Sequence, residues 1–571
     1  MGKFRRRVLS TFKIPEQNGH EISALQNPDL EPMEKGKRTW DVLSYAGFWG
    51  VPNVSISTWS AAGSLISLKL NFPYIMGLVV VTNLLLYAYI LLNSSLGTKY
   101  HVGFAGNLRE VFGIYGSIWG LLVRLFFALI KTGELSWLGG QALVLVFSSF
   151  SKNYLNMKNT LPPNIQTGTR DFIAYVCFFV LLFLCSFIKP EKLNIVVAVG
   201  CGTCSIAFFA LLGICVGKNG GAGPMVHSHM SLSSSEIGWM WLNAMSSWYG
   251  GLSPLTMNAN DFSRYARSEK KMAAGVFLGI MVAGTIVPLA SLLCASATKG
   301  KYGEAMWMPT QIIIKFLEED YSAGCRAGAF FAGLCFFASQ VGFALECGAV
   351  AGGMNLAGMF PKYINVKRGT AITVIVSWIV QPWNFYNSDS TFETVMSSFG
   401  VFATPIIGIS VADYWIVRRA KIPIKDFYTT SPEGTYYFLK GFNWRAFLVW
   451  ILGVVPALPG LAKQKDSSLS IPSGLMHYFY GDLLFAFFCP LILYSAICYC
   501  FPVKNAAVMD SEDHFGVFTL DECSKLGMAP FEKAHAFLDY DAENPKSFDL
   551  QGMMKNKYQV KTEALEISSN V

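Results

Sequence analysis

Charge is scarce in this chain. Of 571 residues, 14% are Asp, Glu, Lys or Arg and 52% are hydrophobic, whereas soluble domains carry about 25% charged residues. A chain this long with so little charge cannot present a fully hydrated surface, which argues against a soluble enzyme. Histidine is sparse too, at seven. His227-Ser228-His229 falls in a loop, so the His-rich or Asp-rich cluster that a membrane enzyme needs is missing. Thirteen cysteines are present, but they form no zinc-like grid. Cys201 and Cys204 make a C-x-x-C inside an apolar segment, where they read as small packing residues. No metal site and no cofactor are expected. The amino end, Met-Gly-Lys-Phe-Arg-Arg-Arg, lacks the apolar run of a cleavable signal, and Arg6 breaks the myristoylation pattern.

What the chain has in quantity is apolar segments long enough to cross a bilayer. Twelve are expected, near 43–66, 73–93, 116–148, 171–188, 192–216, 237–258, 272–297, 327–355, 369–386, 391–417, 444–463 and 479–501. The fold class is therefore all-α, a polytopic membrane protein. A polar amino tail covers 1–40, a transporter domain 41–503, and a polar, partly unstructured carboxyl tail 504–571. The net charge of +8 does not point to nucleic acid, because the basic residues sit in short loops between apolar runs. Arg5, Arg6, Arg7, Lys35, Lys37 and Arg38 in the amino tail share a side with Arg264, Arg267, Lys270, Lys271, Lys362, Lys367, Arg368, Arg418 and Arg419. By the positive-inside rule that side, with both termini, is cytoplasmic.

Two segments carry helix breakers at corresponding places. The first holds Trp49-Gly50-Val51-Pro52-Asn53-Val54-Ser55, and the sixth holds Trp248-Tyr249-Gly250-Gly251-Leu252-Ser253-Pro254. Broken helices at matching positions of two halves point to a transporter binding site, because half-helix ends expose unpaired N–H and C=O groups. Simple kinking is the competing reading. Pro52, Asn53, Gly251 and Leu252 are the candidate contacts, and Trp49 could stack on a planar ring.

Ionisable residues at membrane depth mark function or pairing. Lys131 and Glu134 are spaced i, i+3 on the third segment, and Glu346 lies within the eighth. One reading is a structural ion pair of Lys131 with Glu134 or Glu346. The other is that Glu134 or Glu346 carries a coupled proton or faces the solute. Two acids against one base would leave a spare negative charge, suited to a cationic solute.

Dispersed stretches then resemble a known family. They include Asn27-Pro28-Asp29-Leu30, Phe112-Gly113-Ile114-Tyr115-Gly116, Trp137-Leu138-Gly139-Gly140, Asn260-Asp261-Phe262-Ser263-Arg264-Tyr265, Gln381-Pro382-Trp383-Asn384-Phe385 and Asp413-Tyr414 with Arg418-Arg419. The chain resembles the fungal uracil–allantoin–thiamine permeases of nucleobase–cation symporter family 1. The resemblance implies a LeuT-like fold of two inverted five-helix repeats plus two helices. It also implies proton-driven symport of a small heterocycle at the plasma membrane, with sodium as the alternative ion, and a solute site among the first, third, sixth and eighth helices.

At the third-helix Trp and Gln of the family's uracil and allantoin carriers this chain has Lys131 and Leu135, and at their eighth-helix Asn and Asp it has Gly348 and Asn355; the thiamine and nicotinamide riboside branch also lacks that Trp and Gln. That departure puts uracil in doubt. The chain shares Tyr321-Ser322-Ala323-Gly324 and Trp383-Asn384-Phe385-Tyr386-Asn387-Ser388 with the thiamine and nicotinamide riboside branch. The expected function is thus an importer of a vitamin or nucleoside such as thiamine or nicotinamide riboside. A uracil, uridine or allantoin permease is the alternative, and a non-transporting sensor the remote one. Asp261, Arg264 and Asn355 are expected at a cytoplasmic gate.

Overall fold

Among the described residues of the computed structural model, every regular element is a helix. The structure describes residues 23, 25–68, 70–188, 190–227, 233–386 and 389–531. Ser228, His229, Lys189, Asn387, Ser388, the basic cluster at 3–7 and the chain beyond 531 lie outside the described residues. Among those described, seven helices are long and apolar enough to cross a membrane: Phe72–Tyr100, Val199–Asn219, Glu269–Tyr302, Ala323–Met359, Thr391–Val417, Trp444–Lys465 and Asp482–Cys500. Five further expected segments are also helical but broken, short or charged. They are Val42–Asn53 with Ile56–Ser64, Ser117–Phe150, Thr169–Cys185, Ser234–Gly250 with Ser253–Met257, and Val366–Ser377. The ordinal numbers used above carry over to these twelve.

The break in the first segment is chemically complete. Pro52 cannot donate a backbone hydrogen bond, and the helix ends at Asn53. Ser55 caps the next helix by accepting from the Thr58 amide, 3.2 Å. The freed carbonyl of Pro52 accepts from Ser55 Oγ at 2.7 Å and from Thr58 Oγ1 at 2.6 Å. Asn53 Nδ2 reaches back to the Trp49 carbonyl at 2.7 Å. The sixth segment breaks over Gly251-Leu252. Ser253 Oγ donates to the Gly250 carbonyl at 3.0 Å, and Asn93 Nδ2 serves the carbonyls of Thr256 and Met257 at 2.8 and 3.1 Å. Gly250 is required here because a Cβ would collide with the Met396 carbonyl of the tenth helix. Breaks at membrane depth thus survive because side chains replace the lost backbone partners.

Among the described residues, three helices contain π turns: Leu278–Ala283, Ala344–Val350 and Ala412–Val417. The third of these precedes a buried charge cluster. Arg418 Nε meets Asp413 Oδ2 at 2.6 Å and Glu110 Oε1 at 3.7 Å, and Tyr494 OH donates to Asp413 Oδ1 at 2.7 Å. The cluster ties the helix Phe104–Phe112, the tenth helix and the twelfth helix together at the end of the bundle that carries the amino tail.

The described part of that tail lies across the same end. Met33 N donates to the His101 carbonyl (2.9 Å), Asn27 Nδ2 to the Pro361 carbonyl (3.3 Å), and Tyr428 OH to the Leu30 carbonyl (2.7 Å). Residues 509–571 form a second unit. Its described portion holds the helix Leu520–Leu526, opened by a Thr519/Glu522 capping box.

Candidate functional site

The two breaks face one another across the third and eighth helices. Between them lies a cavity lined by Pro52 of the first segment, Arg124 and Lys131 of the third, and Phe343 and Cys347 of the eighth. Gly251, Leu252, Pro254 and Leu255 of the sixth complete it. Its walls are mostly apolar with two cations, the general form of a small-molecule site.

Glu134 is fully buried at one edge of this cavity. Lys131 Nζ lies 2.9 Å from its Oε2 and 3.2 Å from its Oε1. Ser57 Oγ donates to Oε1 at 2.5 Å and Tyr386 OH at 3.2 Å, so the carboxylate is held by groups from the first, third and ninth-to-tenth regions. Lys131 Nζ also donates to Ser57 Oγ at 3.3 Å and lies 5.8 Å from the Phe343 ring centroid. Of the pairings left open by spacing, the structure contains Lys131 with Glu134.

Glu346 has a different setting. It lies in the π turn of the eighth helix, and no ion pair joins it to a described residue. Its Oε2 is buried without a hydrogen-bond partner. Cys201 of the fifth helix is an electrostatic neighbour, whereas Phe343 and Cys347 are the residues this helix turns to the cavity.

The other expected contacts divide. Pro52, Lys131, Gly251 and Leu252 line the cavity. Leu135 is buried in the core. Trp49 is buried against the seventh helix, where Gly279 leaves room for it. Asn53 turns its Oδ1 toward Gly284 of that helix, beside Asn83, which donates to the Gly284 carbonyl at 2.8 Å and accepts from Trp248 Nε1 at 2.9 Å. Gly348 marks the crossing of the third and eighth helices, where a Cβ would lie 2.8 Å from Thr132 Oγ1. These are helix-contact positions rather than cavity walls.

The three expected gating residues come together. Asp261, Arg264 and Asn355 line a second cavity, with Asp29 of the amino tail. Asp261 Oδ1 accepts from the Phe104 amide at 2.8 Å, and Asn258 Nδ2 lies 3.3 Å from Oδ2. Arg264 donates to the Asp261 and Asp29 carbonyls at 3.2 and 2.8 Å. Both side-chain atoms of Asn355 are buried without partners.

Sequence reasoning misses Arg124. It stands in Leu121-Leu122-Val123-Arg124-Leu125-Phe126-Phe127, and a guanidinium in such an apolar run is the same signal that singles out Lys131.

A family model described as the permease for cytosine/purines, uracil, thiamine and allantoin matches residues 32–484. The chain belongs to that family. The permease is 36% identical over 531 residues to a thiamine transporter of Saccharomyces cerevisiae, covering 92% of this chain and 88% of that one. It is equally 36% identical over 532 residues to nicotinamide riboside transporter 1 of the same yeast, with the same coverage. Among solved structures it resembles the inward-facing conformation of Mhp1, with a TM-score of 0.66 at 17% identity, covering 90% of this chain and 100% of that one. That likeness shows the LeuT-like fold expected from the resemblance. The protein is an integral membrane transporter and not an enzyme.

Proposed function

We propose that the permease imports a small heterocyclic solute of vitamin or nucleoside type, such as thiamine or nicotinamide riboside, in symport with protons. The observation that carries this reading is the 36% identity, sustained over 92% of the chain, to transporters named for those two solutes. The cavity between the two broken helices is the solute site, with Pro52, Lys131, Gly251 and Leu252 in contact and Glu134 fixing Lys131. Glu346 carries the coupled proton. It is a membrane-embedded acid without a counter-ion among the described residues, while Glu134 is already committed to an ion pair. Asp261, Arg264 and Asn355 form the inner gate. The basic loops support a cytoplasmic side for both termini, with import across the plasma membrane.

Uptake in transporter-deficient yeast expressing the chain tests this. Labelled thiamine, nicotinamide riboside, uracil, uridine and allantoin are offered with and without a protonophore. Protonophore-sensitive accumulation of thiamine or nicotinamide riboside supports the reading. Uptake of uracil or allantoin alone overturns the solute class, and protonophore-insensitive, sodium-dependent uptake overturns the coupling ion.

A further inference from the structure

Arg124 is an unanswered charge. It is about 1% exposed, and its Nε and Nη1 are buried with no hydrogen-bond partner. No carboxylate lies within ion-pair distance among the described residues. An arginine cannot shed its proton to escape this cost, as a buried Lys or Glu can. An uncompensated buried charge costs several kcal/mol, and one that lines a cavity (as Arg124 does) invites an anion into that cavity.

The charge balance of the site points the same way. Lys131 and Glu134 cancel through their 2.9 Å contact. Glu346 is not among the cavity walls. Asp261 is the acid in electrostatic range of Arg124, but it is in range of Arg264 as well and does not line this cavity. The cavity therefore carries one net positive charge. Arg124 and Lys131 lie seven residues apart, two helical turns on one face, or about 10 Å along the axis. That is the length of a nucleoside-sized molecule, so a solute with its acidic group at one end and its ring between the helix breaks matches the span once the cavity, which here has room for little more than a water, widens around it.

Resting on the importer reading but departing from its two cationic examples, neither of which carries a carboxylate, we propose that Arg124 is a solute-binding residue that pairs with a carboxylate, so that the preferred solute is a heterocyclic acid or zwitterion. A forked guanidinium is suited to bidentate carboxylate recognition. The matching amide presents only one acceptor oxygen and no charge.

The test uses an acid and amide that share one ring: nicotinate riboside and nicotinamide riboside. Each is titrated by calorimetry into the purified full-length chain, as wild type, Arg124→Gln and Arg124→Lys. The expected result is at least tenfold tighter binding of the acid by wild type, a preference below threefold in Arg124→Gln, and an intermediate preference in Arg124→Lys, which keeps the charge but not the fork. Should Arg124→Gln fail to fold, the wild-type ratio and the Arg124→Lys ratio decide. Three results overturn the assignment: neither ligand binds wild type, the amide binds as well as the acid, or Arg124→Gln weakens both equally. The last would mean that Arg124 instead serves the scaffold or engages Asp261 during the transport cycle. Uptake of the amide by cells expressing wild type would leave the importer reading standing in each of these cases.

Discussion

Lys131 and Glu134, one turn apart on the third helix, form an ion pair of 2.9 Å whose carboxylate is fully buried and also accepts from Ser57 and Tyr386. The pair joins the helix after the first break to the loop between the ninth and tenth helices.

Breaking that pair on one side should be worse than removing it. Glu134→Gln leaves the Lys131 ammonium uncompensated, at a cost of about 3–5 kcal/mol for a buried partner. The double change Lys131→Met with Glu134→Gln should recover at least half of the loss. Melting temperatures of the purified protein, compared around the double-mutant cycle, check this.

Gly348 should tolerate almost nothing larger. Its Cβ position is 2.8 Å from Thr132 Oγ1, so Gly348→Ala forces the third and eighth helices apart at about 1–3 kcal/mol. Thr132→Ala removes the obstructing hydroxyl and should restore part of the stability of Gly348→Ala. Failure of that rescue would show that the crossing is not the constraint.

Glu346→Gln should separate coupling from binding. With the carboxyl gone, protonophore-sensitive accumulation should disappear, while exchange of labelled for unlabelled solute continues. Loss of exchange together with accumulation would place Glu346 in the scaffold or the solute site instead.

Asp261→Ala should loosen one end of the bundle. The carboxylate accepts from the Phe104 amide at 2.8 Å, a charge-assisted bond worth about 1.5–3 kcal/mol. Faster hydrogen exchange at Phe104 and its neighbours, with little change at the far end of the third helix, is the expected outcome.

The helix breaks were the most legible feature. Proline and paired glycines act on the backbone directly, so Pro52 and Gly250-Gly251 declare the interruptions without any tertiary knowledge. Lys131 and Glu134 were legible as partners for a similar local reason, their i, i+3 spacing. What could not be read was direction. Gly348 and Asn53 lie at the right depth but meet neighbouring helices. The spare negative charge inferred from counting Glu134 and Glu346 against Lys131 does not enter the cavity, because Phe343 and Cys347 occupy that face of the eighth helix. Arg124 could have been found by the rule that found Lys131, and its omission inverts the apparent charge of the site.

The π turn over Ala344–Val350 explains part of that illegibility and has a consequence of its own. Such a turn holds one residue more than an α turn, and each residue rotates a helix by about 100°. Everything after it in the eighth helix, Asn355 included, is therefore out of phase with everything before it. The chain keeps a residue of slack between the cavity and the Asn355 end of the helix. Passing that slack along the helix would swing Asn355 through about 100° without breaking the rod, a rotation that a continuous α-helix would have to obtain by unwinding.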